Sequence, residues 1–245
     1  MALQIVEFFG YEPLDLVAQP HVAAVTCPFI NQNCIKPNHG ACSVRQTTGD
    51  PIICCPNRMY GQNYQILLDV AVASFGAGVQ LAHPNSISLG RLGGTLTGNE
   101  VAVFGRYWGN ELPLPRPPGA SGKSRQYYVD WVLAKVDANG DLDELTAIEV
   151  QTIDTTGSYA DQAQAFFQGQ LFTDKSGRTP GWSNAGMNWE NVNKRILPQI
   201  IYKGHVLRRE MRCTKGLFFV CPRQVYDQIF ARLGGNLNAY HPSSG

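Results

Sequence analysis

The sequence predicts a mixed α/β fold with a cysteine-rich module in its N-terminal part. Three observations carry this. Four short runs are β-branched, aromatic or alternating, at residues 100–109, 126–137, 145–154 and 216–222. Between and beyond them lie runs with helical spacing of apolar residues, at 64–75, 158–172, 188–210 and 223–233. Five of the seven cysteines fall between Cys27 and Cys55. With 245 residues, 44% hydrophobic and 16% charged, the chain can bury one large core. The expected division is a metal-binding segment over 1–62 and a catalytic core over 63–245.

Each element has its own warrant. "YQILLDVAVASF" (64–75) has apolar residues on one helical face. The Gly, Ser and Asn-rich stretch from Gly76 to Gly98 predicts loops and short strands. "EVAVFGRYWG" predicts a strand, and "NELPLPRPPGASGKSR" a long connection. "QYYVDWVLAKVD" and "LTAIEVQTID" predict a hairpin around Asn139-Gly140. "DANGDLDELTAIE" imitates a calcium loop, but Leu142 stands where glycine is required and Ile148 where the bidentate Glu is required, so it predicts a turn. A helix from 188 is expected to kink or split at Pro198, followed by the strand "GLFFVCP" and a last helix.

"MALQIVEFFGYEPLDL" lacks a basic leader followed by a long apolar core, and no run of 18 apolar residues is present. The expectation is a cytoplasmic protein. That compartment argues against disulfides. Four thiolates within some thirty residues of Pro, Gly and Asn-rich chain instead predict a tetrahedral metal site. Cys27, Cys34 and Cys42 are the candidate ligands, with Cys55 or its neighbour Cys54 as the fourth. Iron and zinc both suit four sulfurs, and the bland alternative is a set of reduced, buried thiols. His39 has no partner histidine at finger spacing, and Cys213 and Cys221 read as core cysteines.

Net charge is +1, but its distribution is uneven. Between Glu190 and Arg232 nine Lys or Arg face three acids, so that segment carries +6 and the rest −5. This suits a protein that grips phosphate with one surface and metal with another, although an ordinary solvated helix face has the same composition. Lys194, Arg195, Lys203, Arg208, Arg209 and Arg212 are the expected phosphate contacts. Arg116, Lys123 and Arg125 mark the alternative cleft.

Chemistry is expected where carboxylates interrupt apolar strands. Asp130 stands between Val129 and Trp131, and Glu149 and Gln151 sit two apart in "AIEVQTI". Residues two apart share a strand face, and facing positions of a hairpin lie about 5 Å apart. Burying two carboxylates together is costly without a cation. Magnesium is the natural compensation, because it takes one or two carboxylates and several waters. The chemistry implied is metal-assisted phosphodiester hydrolysis.

An Asp followed by Glu-x-Lys on the next strand marks the PD-(D/E)xK nucleases. Here Gln151 takes the place of the lysine. In "YYVDW", "IEVQTIDTTG", "ILPQIIYKG" and "CPF…C…ACSV…CCPNRMY" the chain resembles the NotI-type restriction endonucleases, which use Glu-x-Gln. The resemblance implies a mixed central sheet flanked by helices and a homodimer that cuts both strands of a specific DNA site. It also implies structural iron in the four-cysteine site and catalytic magnesium. Asp130 and Glu149 would bind the magnesium, Gln151 would orient the attacking water, and Glu111 is a further acidic candidate. The chain is shorter than the archetype, so the recognition sequence does not carry over. Two rivals are a defence or repair nuclease with loose or modification-dependent specificity, and a metal-stabilised DNA-binding protein with a dead core.

Overall fold

The alternating runs pair as a five-stranded mixed sheet in the computed structural model, which describes residues 2–114 and 127–235. Its strands are Gln80–Ala82, Glu100–Gly105, Trp131–Val136, Leu142–Val150 and Leu217–Val220, in that spatial order. The two edge pairings are parallel and the two central ones antiparallel. Both faces of the centre are buried. Val132, Ala134 and Val136 point one way, Trp131 and Leu133 the other, and none is more than 8% exposed. Strands buried on both sides need the near-continuous apolar runs seen in the sequence.

Gly105 is required by a close approach. It faces Trp131 across the ladder, and a Cβ there would lie 2.2 Å from the indole ring. The expected turn forms between the central strands. Asp137 accepts from the backbone N–H of Asn139 and Asp141, both at 2.9 Å, and Gly140 takes a φ of 79°. The calcium-loop imitation is therefore a side-chain-braced turn.

One stretch corrects the sequence reading. Residues 76–98, expected as loops and short strands, contain the helix Pro84–Gly93. Gly90 and Gly93 lower its intrinsic propensity, which hides it from a local reading. It forms because His83 caps Asn85 N–H, Pro84 fits the first turn, and Ile87 packs with Ala102, Ala134 and Val136.

At the other end of that same sheet face a second cluster joins Val132 and Ala147 to Leu207 and Cys213. Leu207 ends the helix Leu197–Leu207, in which Pro198 occupies the first turn rather than splitting the helix. The preceding residues Val192–Ile196 form a π-helical turn, so the expected kink is a change of helix type upstream of the proline.

Residues 2–64, 151–194 and 221–235 form one compact unit, and 65–114, 127–150 and 195–220 the other. In the first, strands Leu3–Phe8, Ala41–Gln46 and Ile52–Ile53 make an antiparallel sheet. Gln162, on the helix Ala160–Phe167, fastens to it: its amide donates to Leu3 C=O and accepts from Ile5 N–H, both at 2.7 Å. Among the described residues no helix is long and apolar enough to cross a membrane.

Candidate active site

Register brings the two strand carboxylates together. Trp131 faces Ile148 in the central antiparallel pair, so Asp130, one step before the strand, falls opposite Glu149. Opposed residues share a face, and this is the face of Val132 and Ala147. Asp130 is fixed by accepting from the backbone N–H of Val150 at 2.8 Å.

The surrounding protein holds both acids against their ordinary tendencies. Burial pushes the Asp130 carboxyl up, opposed by the Val150 N–H and the Lys203 charge, while Glu111 adds to the rise. Glu149 is 7% exposed and is pushed up to about 7, first by burial and then by the charge of Asp130. Lys203 opposes that rise without cancelling it. An acid whose pKa is raised by desolvation and a like charge is a marker of functional sites.

Lys203 is where the structure departs most from the sequence reading. Expected on a DNA phosphate with its basic neighbours, it is 6% exposed and places Nζ 2.6 Å from each oxygen of Glu149. Arg195, Arg208, Arg209 and Arg212 are exposed, and Lys194 is exposed in an i,i+4 pair with Glu190. A signal for Lys203 was present in the sequence. Ile196, Ile200, Lys203 and Leu207 repeat at helical spacing, so the lysine belongs to the apolar face.

Gln151 lies just past the strand, which ends at Val150, and its amide Nε2 donates to Thr152 C=O at 3.0 Å. The strand alternation that would put it beside Glu149 stops one residue short. Glu111 is exposed, and its segment is tied toward Asp130 through Leu114 N–H to Tyr127 C=O at 2.8 Å and the Pro113–Tyr128 bridge. Arg116, Lys123 and Arg125 lie outside the described residues.

The hard oxygen donors of Asp130 and Glu149 fit magnesium, which binds through one or two carboxylates and keeps waters. Among the described residues no three Cys, His, Asp or Glu side chains gather as a ready-made metal cage. For Cys27, Cys34, Cys42 and Cys55 it means that the sulfurs do not converge as a formed four-ligand centre. They are nonetheless neighbours: Cys55 feels Cys27 and Cys34, and Cys42 feels Cys55. Each also has backbone N–H donors at hand, from Phe29 and Ile30 for Cys27, Gly40 for Cys34, Gly10 for Cys42 and Asn57 for Cys55. Such donors favour thiolate, but burial outweighs them and raises Cys27, Cys42 and Cys55. Cys54 is pushed up to about 12 and donates to Cys42 C=O at 3.5 Å, which suits a protonated structural thiol.

No curated protein matches the chain. A family model described as restriction endonuclease NotI matches residues 14–230, a span that holds all the candidate residues named above. By that match over most of its length, the chain belongs to the NotI restriction endonuclease family.

Proposed function

We propose that the protein is a magnesium-dependent, type II-like endonuclease that cuts double-stranded DNA at a specific site. Membership in a restriction endonuclease family makes it a DNA nuclease, and the finer reading rests on one observation. Two carboxylates, the half-buried Asp130 and the buried Glu149, stand opposed at the end of the central strand pair, and Glu149 is raised to about 7. Nothing in the packing of a β-sheet needs this arrangement, whereas a divalent cation does.

In this reading Asp130 and Glu149 would hold magnesium, which would supply Lewis-acid activation of water and charge compensation at the phosphate. The protein's own groups do the positioning. The Val150 N–H fixes Asp130, and Lys203 fixes Glu149. Gln151, whose Nε2 is committed to Thr152, would orient the attacking water through its free carbonyl oxygen. Glu111 would add a further acid at the mouth of the site. The exposed cations Lys194, Arg195, Arg208, Arg209 and Arg212 would meet phosphates, making binding steeply salt-dependent, with a log–log slope of about −0.9 per contact. Cys27, Cys34, Cys42 and Cys55 would bind one structural iron or zinc ion, and two copies of the chain would cut the two strands.

The test is digestion of unmethylated phage DNA with Mg²⁺, followed by sequencing of the ends. Discrete fragments with one shared end sequence are expected. Heterogeneous ends would replace site specificity with the looser nuclease reading. Intact DNA under all divalent conditions would leave only DNA binding.

A further inference from the structure

The buried Lys203–Glu149 pair asks for an explanation that stability does not supply. Taking both charges out of water costs several kcal/mol per ion, and well-packed apolar residues in place of such a pair are often as stable or more so. Lysine is almost never fully buried unless paired. Yet Lys203 spends its one charged group on both oxygens of a single carboxylate, at 2.6 Å each.

Its position is set by the helix. Leu207 packs on Val132 and Ala147, and Lys203 stands one turn earlier on the same stripe. A helical turn advances about 5.4 Å and two strand residues about 6.6 Å. The stripe that seats Leu207 over Ala147 therefore brings Lys203 over Glu149. Tyr202 on the same helix is held against Tyr127, ring centres 4.6 Å apart. Gln151, meanwhile, is neutral and turned to Thr152 C=O.

We propose that Lys203 is the positioning residue of the cleavage site: it aims Glu149 and supplies, from a helix distant in sequence, the positive charge that the residue two after Glu149 does not carry. The proposal rests on the reading of Asp130 and Glu149 as the magnesium-binding pair. Because Lys203 and a divalent cation engage the same carboxylate, the lysine also weakens metal binding at that site while it orders the ligand.

The two effects separate in Lys203→Met, which keeps the length and apolar stem of the side chain but not the charge. Mg²⁺ is titrated calorimetrically into the full chain without DNA, and kcat and KM are measured on a DNA carrying the cut site. Mg²⁺ is expected to bind about tenfold tighter, since two unbalanced carboxylates attract it more strongly. The kcat is expected to fall by about 100-fold through loss of Glu149 placement, with KM nearly unchanged. Lys203→Arg should recover part of kcat. A lysine that only packs the helix would move neither quantity, and unchanged Mg²⁺ affinity with unchanged kcat in Lys203→Met overturns the proposal. If Lys203→Met fails to fold, Glu149→Gln and the neutral pair Glu149→Gln/Lys203→Met give the same test. The double variant should bind Mg²⁺ more tightly than the single one, and equal affinities overturn the assignment. Should Asp130→Asn and Glu149→Gln both cut like the parent, the nuclease site itself is misplaced. Should they be dead while Lys203→Met behaves like the parent, only the role of Lys203 fails.

Discussion

Glu149 and Asp174 are both well covered by protein, yet the fold treats them in opposite ways. Asp174 lies in a loop of the other compact unit, its side chain 8% exposed. It accepts from the Ser176 hydroxyl and from the backbone N–H groups of Ser176, Arg178 and Trp182, and it is held down at about 2, chiefly by the hydroxyl. Glu149 has a backbone donor too, the Asp130 N–H, and one lysine, but burial and the second acid opposite outweigh them and raise it to about 7. A structural carboxylate is given donors that stabilise its charge. At the proposed magnesium pair, burial and a like charge outweigh the donors, so the pair still calls for a cation. The difference lies in the environment and not in the residue type.

The sharpest way to break this contrast is to remove the charge at the proposed cleavage site. Asp130→Asn keeps an oxygen to accept from Val150 N–H and relieves the repulsion on Glu149. Cleavage should fall by at least about 10³-fold, the scale of losing preorganised charge stabilisation. DNA binding should persist or strengthen, because one negative charge facing phosphate is gone. Melting temperature should hold or rise. Glu149→Gln should be as inactive, but less stable, since it strands the buried Lys203. A purified Asp130→Asn enzyme with near-parent turnover would refute the assignment.

The cysteine segment sharpens the comparison with a third solution. Burial raises the thiols of Cys27, Cys42 and Cys55, so as protonated groups they need no counter-charge, while as thiolates they would need a metal. Elemental analysis of the purified protein should find about one iron or zinc per chain. Chelation should melt this segment ahead of the sheet that carries Asp130 and Glu149, because metal-binding energy is folding energy in such sites. Cys54→Ser should retain the metal and Cys42→Ser should lose it, since Cys55, which feels the charges of Cys27 and Cys34, is the fourth ligand of the proposed site. Metal-free protein with an unchanged melting curve would refute the site.

How far all this could be read from sequence depends on whether a local pattern carried the signal. The central strands were legible because strands buried on both faces must be apolar and β-branched without interruption. The opposition of Asp130 and Glu149 followed from the hairpin, since the turn at Asn139-Gly140 fixes the register that follows. The helix Pro84–Gly93 was not legible: Gly90, Gly93 and the polar Asn85, Ser86, Ser88 and Arg91 mask it, and it forms through the His83 cap, Pro84 in the first turn and the tertiary contact of Ile87. The N-terminal strand Leu3–Phe8 was missed for a related reason. Its pairing partner lies inside the cysteine-rich stretch, which gives no strand signal of its own. Lys203 was misplaced because charge was counted along the chain, whereas its role is set by the helical stripe it shares with Ile196 and Leu207.

The smallest expected effect tests the other half of the contrast. Asp174 has its pKa lowered in the folded chain, from an ordinary carboxylate value to about 2. A depressed folded pKa contributes stability that is present above the unfolded pKa, about 3.9, and is lost as pH falls through the folded value. Asp174→Ala removes that contribution, along with the acceptors for Ser176, Arg178 and Trp182. Melting of the variant should therefore trail the parent at pH 5 to 7, and the gap should narrow as pH falls below 4. The loss should be modest, because the loop is at the surface and Arg178, the i,i+4 partner at 3.4 Å, is largely exposed. Cleavage per folded molecule should stay at the parent level, since Asp174 has no part in the proposed magnesium pair. A variant as stable as the parent at neutral pH would show that the four donors do not hold the loop. A gap that stays constant down to pH 2 would show that its cause is packing and not the charge on Asp174.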